Sequence, residues 1–183
     1  MTTIQNDLDY LREAAGQLKD YLLSDQLFWP VGGQHAPQLT PGNLLLAKQR
    51  LQACSLTDGQ QTKLADLNQQ VDDLKAQWRS AWEKKAATEF TSRLRQWGHV
   101  MDELAQKKGL AYFGNEVRLR VLLELLKDEV QIIEAELTVL NNLDGRLRPQ
   151  IGEGDFIWAA ELQPGFPEEQ YWFLYGGLSS VED

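Results

Sequence analysis

The chain has 183 residues, 43% of them hydrophobic and 25% charged, proportions of a folded protein and not of a disordered one. Its net charge of −9 disfavours a nucleic-acid binder or a protein held on an anionic membrane surface, since both draw affinity from lysine and arginine. One cysteine, Cys54, leaves no internal disulfide and no cysteine-based zinc site.

Thirty leucines against thirteen isoleucines and valines favour helices, because unbranched side chains lose less rotamer freedom there. Residues 3–24 place Ile4, Leu8, Leu11, Ala15, Leu18 and Leu22 on one face of a first helix, with Thr2 or Thr3 as its cap. Residues 25–39, punctuated by Pro30, Gly32, Gly33 and Pro37, read as a loop. Thr40-Pro41 opens a second helix, threonine as N-cap and proline in the first turn, running to Cys54.

Ser55 with Asp58, or Thr57 with Gln60, makes a capping box for a third helix. Its apolar positions run from Leu64 through Trp78, Trp82, Phe90 and Trp97 to Leu104, at the spacing of a straight α-helix, with consecutive steps of four from 78 to 94. No proline lies between 42 and 148 and no glycine between 59 and 98, so 60–97 is predicted as one unbroken helix. Such a helix, ~57 Å long, would overhang a compact domain of this size.

Lys107, Lys108 and Gly109 end it, and a turn over 109–114 leads to a fourth helix, 115–145, capped by Asn115 and stopped at Gly145. Packed antiparallel about that turn, the hairpin brings Lys84 and Lys85 near Glu136. It also brings Arg93 and Arg95 near Asp128 and Glu129, and Arg118 and Arg120 near Asp102 and Glu103. The tail, 146–183, is rich in glycine, proline and aromatics; FIWAAEL and QYWFLY read as irregular segments or short strands folded back on the bundle. On this view Trp158 and Trp172 are anchors of large burial.

The fold expected is all-α, a single four-helix bundle-like domain over 1–183 with a long antiparallel hairpin and an aromatic tail. No segment has the character of a signal peptide or a membrane span, so the sequence reads as cytoplasmic. No phosphate loop, dinucleotide fingerprint, nucleophile elbow or zinc-protease motif occurs, and neither a cofactor, a metal nor a catalytic residue is assigned. His99 with Glu103 offers two ligands, too few for a metal, and Cys54 reads as an inert thiol.

The expected function is a non-catalytic interaction or scaffold module that self-associates or binds a protein partner. The alternative is a small-molecule pocket or enzyme formed by the 25–39 loop, with Trp29 and His35, and by Trp158, Trp172 and Tyr175 of the tail. A third reading, nucleic-acid binding through residues 79–95, has tryptophans interleaved with arginines but the wrong overall charge.

Overall fold

The computed structural model describes residues 3–33, 36–106 and 112–178. The chain is all-α, with seven helices in the described residues: α1 (Thr3–Leu23), α2 (Pro41–Ala53), α3 (Asp58–Gln77), α4 (Arg79–Ala105), α5 (Phe113–Glu116), α6 (Arg118–Lys127) and α7 (Glu134–Leu147). Two starts follow the predicted caps. The Thr40 side chain accepts the Asn43 N–H at 3.1 Å, with Pro41 in the first turn of α2. Of the two capping boxes open to α3, Thr57 with Gln60 forms: Gln60 N–H reaches Thr57 Oγ1 at 3.4 Å, and Thr57 N–H reaches Gln60 Oε1 at 3.0 Å.

The long third helix is not continuous. It breaks at Trp78 (φ −114°, ψ 38°), although the Trp78 N–H still bonds the Leu74 carbonyl and the Trp82 N–H bonds the Trp78 carbonyl. No proline or glycine causes this. The break lies about one turn before the chain passes from one buried cluster to another: Leu64, Leu67, Val71 and Trp82 pack with α1 and α2, while Ala86, Phe90, Leu94, Trp97 and Met101 pack with α6, α7 and the tail. Packing in two directions overrides a locally uniform helix preference. Glu129 bridges the kink, accepting the Trp82 indole N–H at 2.8 Å and pairing with Lys75 on α3. The expected overhang does not arise, because α1 covers the apolar face of α3.

The fourth helix also divides. Residues 128–133 leave the helical conformation, and Ile133 is extended (φ −69°, ψ 144°) before α7 begins. Val130, Ile132 and Ile133 are β-branched and lose rotamer freedom in a helix, while Glu134 and Glu136 suit the positive end of the helix that follows. Asn115 lies inside α5 instead of capping, and Gly145 lies inside α7 instead of ending it. The predicted end at Lys107–Gly109 and most of the 109–114 turn lie outside the described residues.

This second break reverses the chain. Trp82 meets Glu129 beyond the end of α6, Thr91 meets Glu136 near the start of α7, and Asp102 meets Arg146 near its end. Helix α7 therefore runs parallel to α4. Arg120 at the start of α6 grips Asp144 at the end of α7, so α6 is antiparallel to both. The predicted hairpin survives in α4 and α6 alone, and its charge register does not. Arg93 pairs with Glu89, Arg120 with Glu124 and Asp144, Asp102 with Arg146, and the Lys85 ammonium caps carbonyls of Ser24 and Gln26.

The tail folds back on α2, α6 and α7. Its described part holds three short 3-10 turns, at Arg148–Gln150, Ala160–Gly165 and Trp172–Leu174, and isolated bridges Ile151↔Leu178 and Phe156↔Tyr175 in place of strands. Gly176, at φ 92°, brings its backbone so close to the Gly152 carbonyl that no side chain fits. The tail residues most deeply buried are Phe166, Tyr171, Phe173 and Leu174; Trp158 and Trp172, the expected anchors, are half-buried.

Candidate functional site

Three charged residues spaced by four on α4, Lys85, Glu89 and Arg93, lie beside its apolar stripe and are buried. Glu89 is fully enclosed, which requires partners for its charge. Thr40 Oγ1 donates to Oε1 at 2.7 Å, Gly42 N–H donates to Oε2 at 2.7 Å, and Arg93 Nε donates to Oε1 at 3.1 Å. The cap of α2 thus closes onto the middle of α4. Glycine at 42 is needed for this: a Cβ there would stand 3.0 Å from the carboxylate.

Around this core of the network, Asn43 donates to the Gln38 carbonyl at 2.8 Å and accepts from Arg118 of α6. Tyr10 donates to the same carbonyl at 3.2 Å, and burial and the nearby Glu89 raise its phenol far above the ordinary value. Asp7 approaches Arg50 at 3.1 Å; burial raises its carboxyl to about 6, although Arg50 and Arg118 pull the other way. A contrasting network ties α6 to α7. Arg120 takes both oxygens of Asp144 at 2.8 Å, bonds Glu124 at 2.8 Å and lies 4.5 Å over the Phe173 ring. Burial works against the Glu124 carboxylate, but Arg120 and Lys127 outweigh it and hold the carboxyl below its ordinary range. Every charge there is matched, and the network is structural.

Three openings border these networks. A cleft of about 310 Å³ between α2, α5, α6 and the tail is lined by Leu46, Arg50, Gly114, Asn115, Arg118, Trp158, Ala159 and Leu162. A groove crosses α4 in two connected parts, about 370 Å³ and about 470 Å³, which share Leu27 and Thr88. It runs from Leu22, Leu23 and Asp25 past Lys84 and Thr91 to Arg95, Ile132, Ile133 and Glu136. A larger hollow of about 560 Å³ lies between α1 and Gly32, Gly33, Ala36 and Pro37, rimmed by Asp7, Asp9, Arg12 and Glu13.

The predicted site residues fall in separate places. Trp29 packs edge-on against Tyr21 at 6.5 Å and donates to Gln17 at 2.8 Å, in the cluster of α1, α2 and α3. His35 lies outside the described residues. Trp158 donates to the Gly114 carbonyl at 2.8 Å and stands edge-on to Phe166, and Tyr175 donates to the Phe166 carbonyl at 2.7 Å, so these two share one neighbour. Trp172 stacks under the Arg148 guanidinium at 4.0 Å. The tail residues thus stand together and Trp29 stands apart from them, in the other cluster.

Of the tryptophans interleaved with the basic stretch, Trp82 and Trp97 are buried. The Cys54 thiol is raised by burial, then by Glu161 and Asp7, the opposite of an activated nucleophile. Among the described residues no three metal-binding side chains converge and no helix is long and apolar enough to cross a membrane. Sequence reading missed Glu89 and gave Arg93 and Arg118 other partners; for Glu89 and Arg93 the available signal was the four-residue spacing of charges beside the apolar stripe of α4. Compared with known protein families, curated proteins and solved structures, the chain matches none.

Proposed function

We propose that the protein is a non-catalytic interaction module that associates with a second copy of itself through the groove across α4. The observation that carries this reading is the composition of that groove. Leu23 and Ile133, at its two ends, are 54% and 63% exposed, and large apolar side chains presented in this way favour a covered surface. Its charged lining is Asp25, Lys84 and Lys85 at one end and Arg95 and Glu136 at the other, and since the Lys85 ammonium is spent on the carbonyls of Ser24 and Gln26, the charges left to face a partner are two of each sign. Lys84 and Arg95 stand about 16 Å apart along α4. A two-fold axis near Thr88 would set Lys84 against the second copy's Glu136, and Asp25 against its Arg95, the reciprocal pairing of an isologous interface. For a chain of net charge −9, a patch with no excess of negative charge is also where two copies repel each other least.

Sedimentation velocity across the micromolar range tests this. The expected result is a concentration-dependent dimer that Ile133→Glu abolishes. Lys84→Glu weakens the dimer, and adding Glu136→Lys restores it. A chain that stays monomeric at the highest concentrations, or a dimer indifferent to all three substitutions, overturns the reading.

A further inference from the structure

The cleft between α2, α6 and the tail carries a charge imbalance that the fold itself does not resolve. Of the arginines in the described residues that are not exposed, Arg93 and Arg120 have well-placed carboxylate partners. Arg50 touches Asp7 at 3.1 Å, but its buried Nε is not aimed to donate a hydrogen bond. Among the described residues Arg118 pairs with no carboxylate; one of its amino groups bonds the neutral Asn43 side chain. Around this point Arg50, Arg93 and Arg118 face Asp7 and Glu89, and Glu89 is already engaged by Thr40, Gly42 and Arg93. Arg118 is thus left half-buried without a carboxylate of its own, on a protein that is otherwise acidic. Burial first, then Arg93 and Arg50, loosens the hold of the Arg118 guanidinium on its proton, while Tyr10 and Glu89 act in the opposite sense.

Both arginines line one opening of about 310 Å³, at the small end of ligand pockets. Apart from Asn115, the rest of its wall is largely apolar and aromatic, with Leu46, Leu162 and the indole of Trp158, which its bond to the Gly114 carbonyl holds in place. We propose that this cleft binds a small organic monocarboxylate, its carboxylate across the guanidinium groups of Arg50 and Arg118 and its apolar body against Trp158 and Leu162. Guanidinium groups present paired donors that match a carboxylate. A single negative charge supplies the carboxylate that Arg118 lacks, and the apolar part of the wall favours an organic anion over a bare inorganic one.

The test is titration of the full chain with sodium benzoate, and separately with inorganic phosphate, at constant ionic strength, following the indole N–H resonances by NMR. Trp158→Phe assigns the Trp158 signal. Benzoate is expected to shift that signal saturably, and Arg118→Gln to weaken binding by at least about tenfold with the melting temperature checked in parallel. Should Arg118→Gln fail to fold, Arg50→Gln serves the same purpose. Arg118→Lys, which keeps the charge without the paired donors, is expected to recover little of the affinity. No saturable benzoate shift, equal binding by folded arginine variants, or saturable phosphate binding without benzoate binding would each overturn the proposal.

Discussion

Asp7 occupies a position where burial and its neighbours disagree. Removal from water raises its carboxyl from 3.8 to about 6, and the attraction of Arg50 and Arg118 recovers only part of that cost. The folded chain therefore holds this proton more tightly than the unfolded chain does. Its stabilising contribution is complete below about pH 4 and is lost as pH rises through about 6, at most ~3 kcal/mol. Asp7→Asn mimics the protonated form. Urea unfolding should show the difference between variant and parent moving in the variant's favour from pH 4 to pH 7; a difference that is constant with pH, or that moves the other way, contradicts the assignment. Glu89 shows the opposite solution to burial, three donors enclosing one carboxylate. Neither the half-burial of Asp7 nor the full burial of Glu89 was legible from sequence alone. Asp7 lies one position before Leu8 on the first stripe, and Glu89 one before Phe90 on another. Whether such a flanking position meets water or a third helix depends on tertiary packing.

Elements with local chemical signals were the legible ones. Thr40-Pro41 and Thr57 with Gln60 start helices because the capping groups lie within the same few residues. The breaks at Trp78 and at 128–133 have no such signal. The first follows from two clusters on different sides of one continuous stripe, and the second from a run of β-branched residues that still looks apolar enough to be helical. In the site, Trp158 was legible as an aromatic in need of cover, while Arg50 and Arg118 became partners only when α2 met α6. The tail refines its own energetics. Phe173 is fully buried among α6, α7 and Tyr171, whereas Trp172 lies partly in water beneath Arg148. Phe173→Ala should cost ~3–5 kcal/mol, as for a large core aromatic, and Trp172→Ala distinctly less. Chemical denaturation of both variants checks the order, and equal losses, or the reverse order, would refute it.

Two buried clusters share the molecule, and α2 joins them: Leu46 belongs to one, Leu44, Ala47 and Leu51 to the other. The Glu89 network crosses at the same place, from the α2 cap to the middle of α4. The tail supplies Leu162, Phe166, Tyr171, Phe173 and Leu174 to the cluster of α4, α6 and α7. Each large side chain buried is worth ~1.5–3 kcal/mol, against a net stability of only ~5–15 kcal/mol for a whole domain. That cluster therefore depends on the tail for a share of cohesion comparable to the stability itself. The tail also walls one side of the cleft through Trp158, Ala159 and Leu162. Removing residues 150–183 should lower the melting temperature by more than ~10 °C and leave Leu123, Leu126 and Leu143 open to water, seen as dye binding and as faster amide exchange in α6 and α7. Exchange in α1 and α3, which pack in the other cluster, should change much less. An unchanged melting temperature, or equal acceleration in all of these helices, would show that the tail is not part of this core or that the two clusters do not open separately.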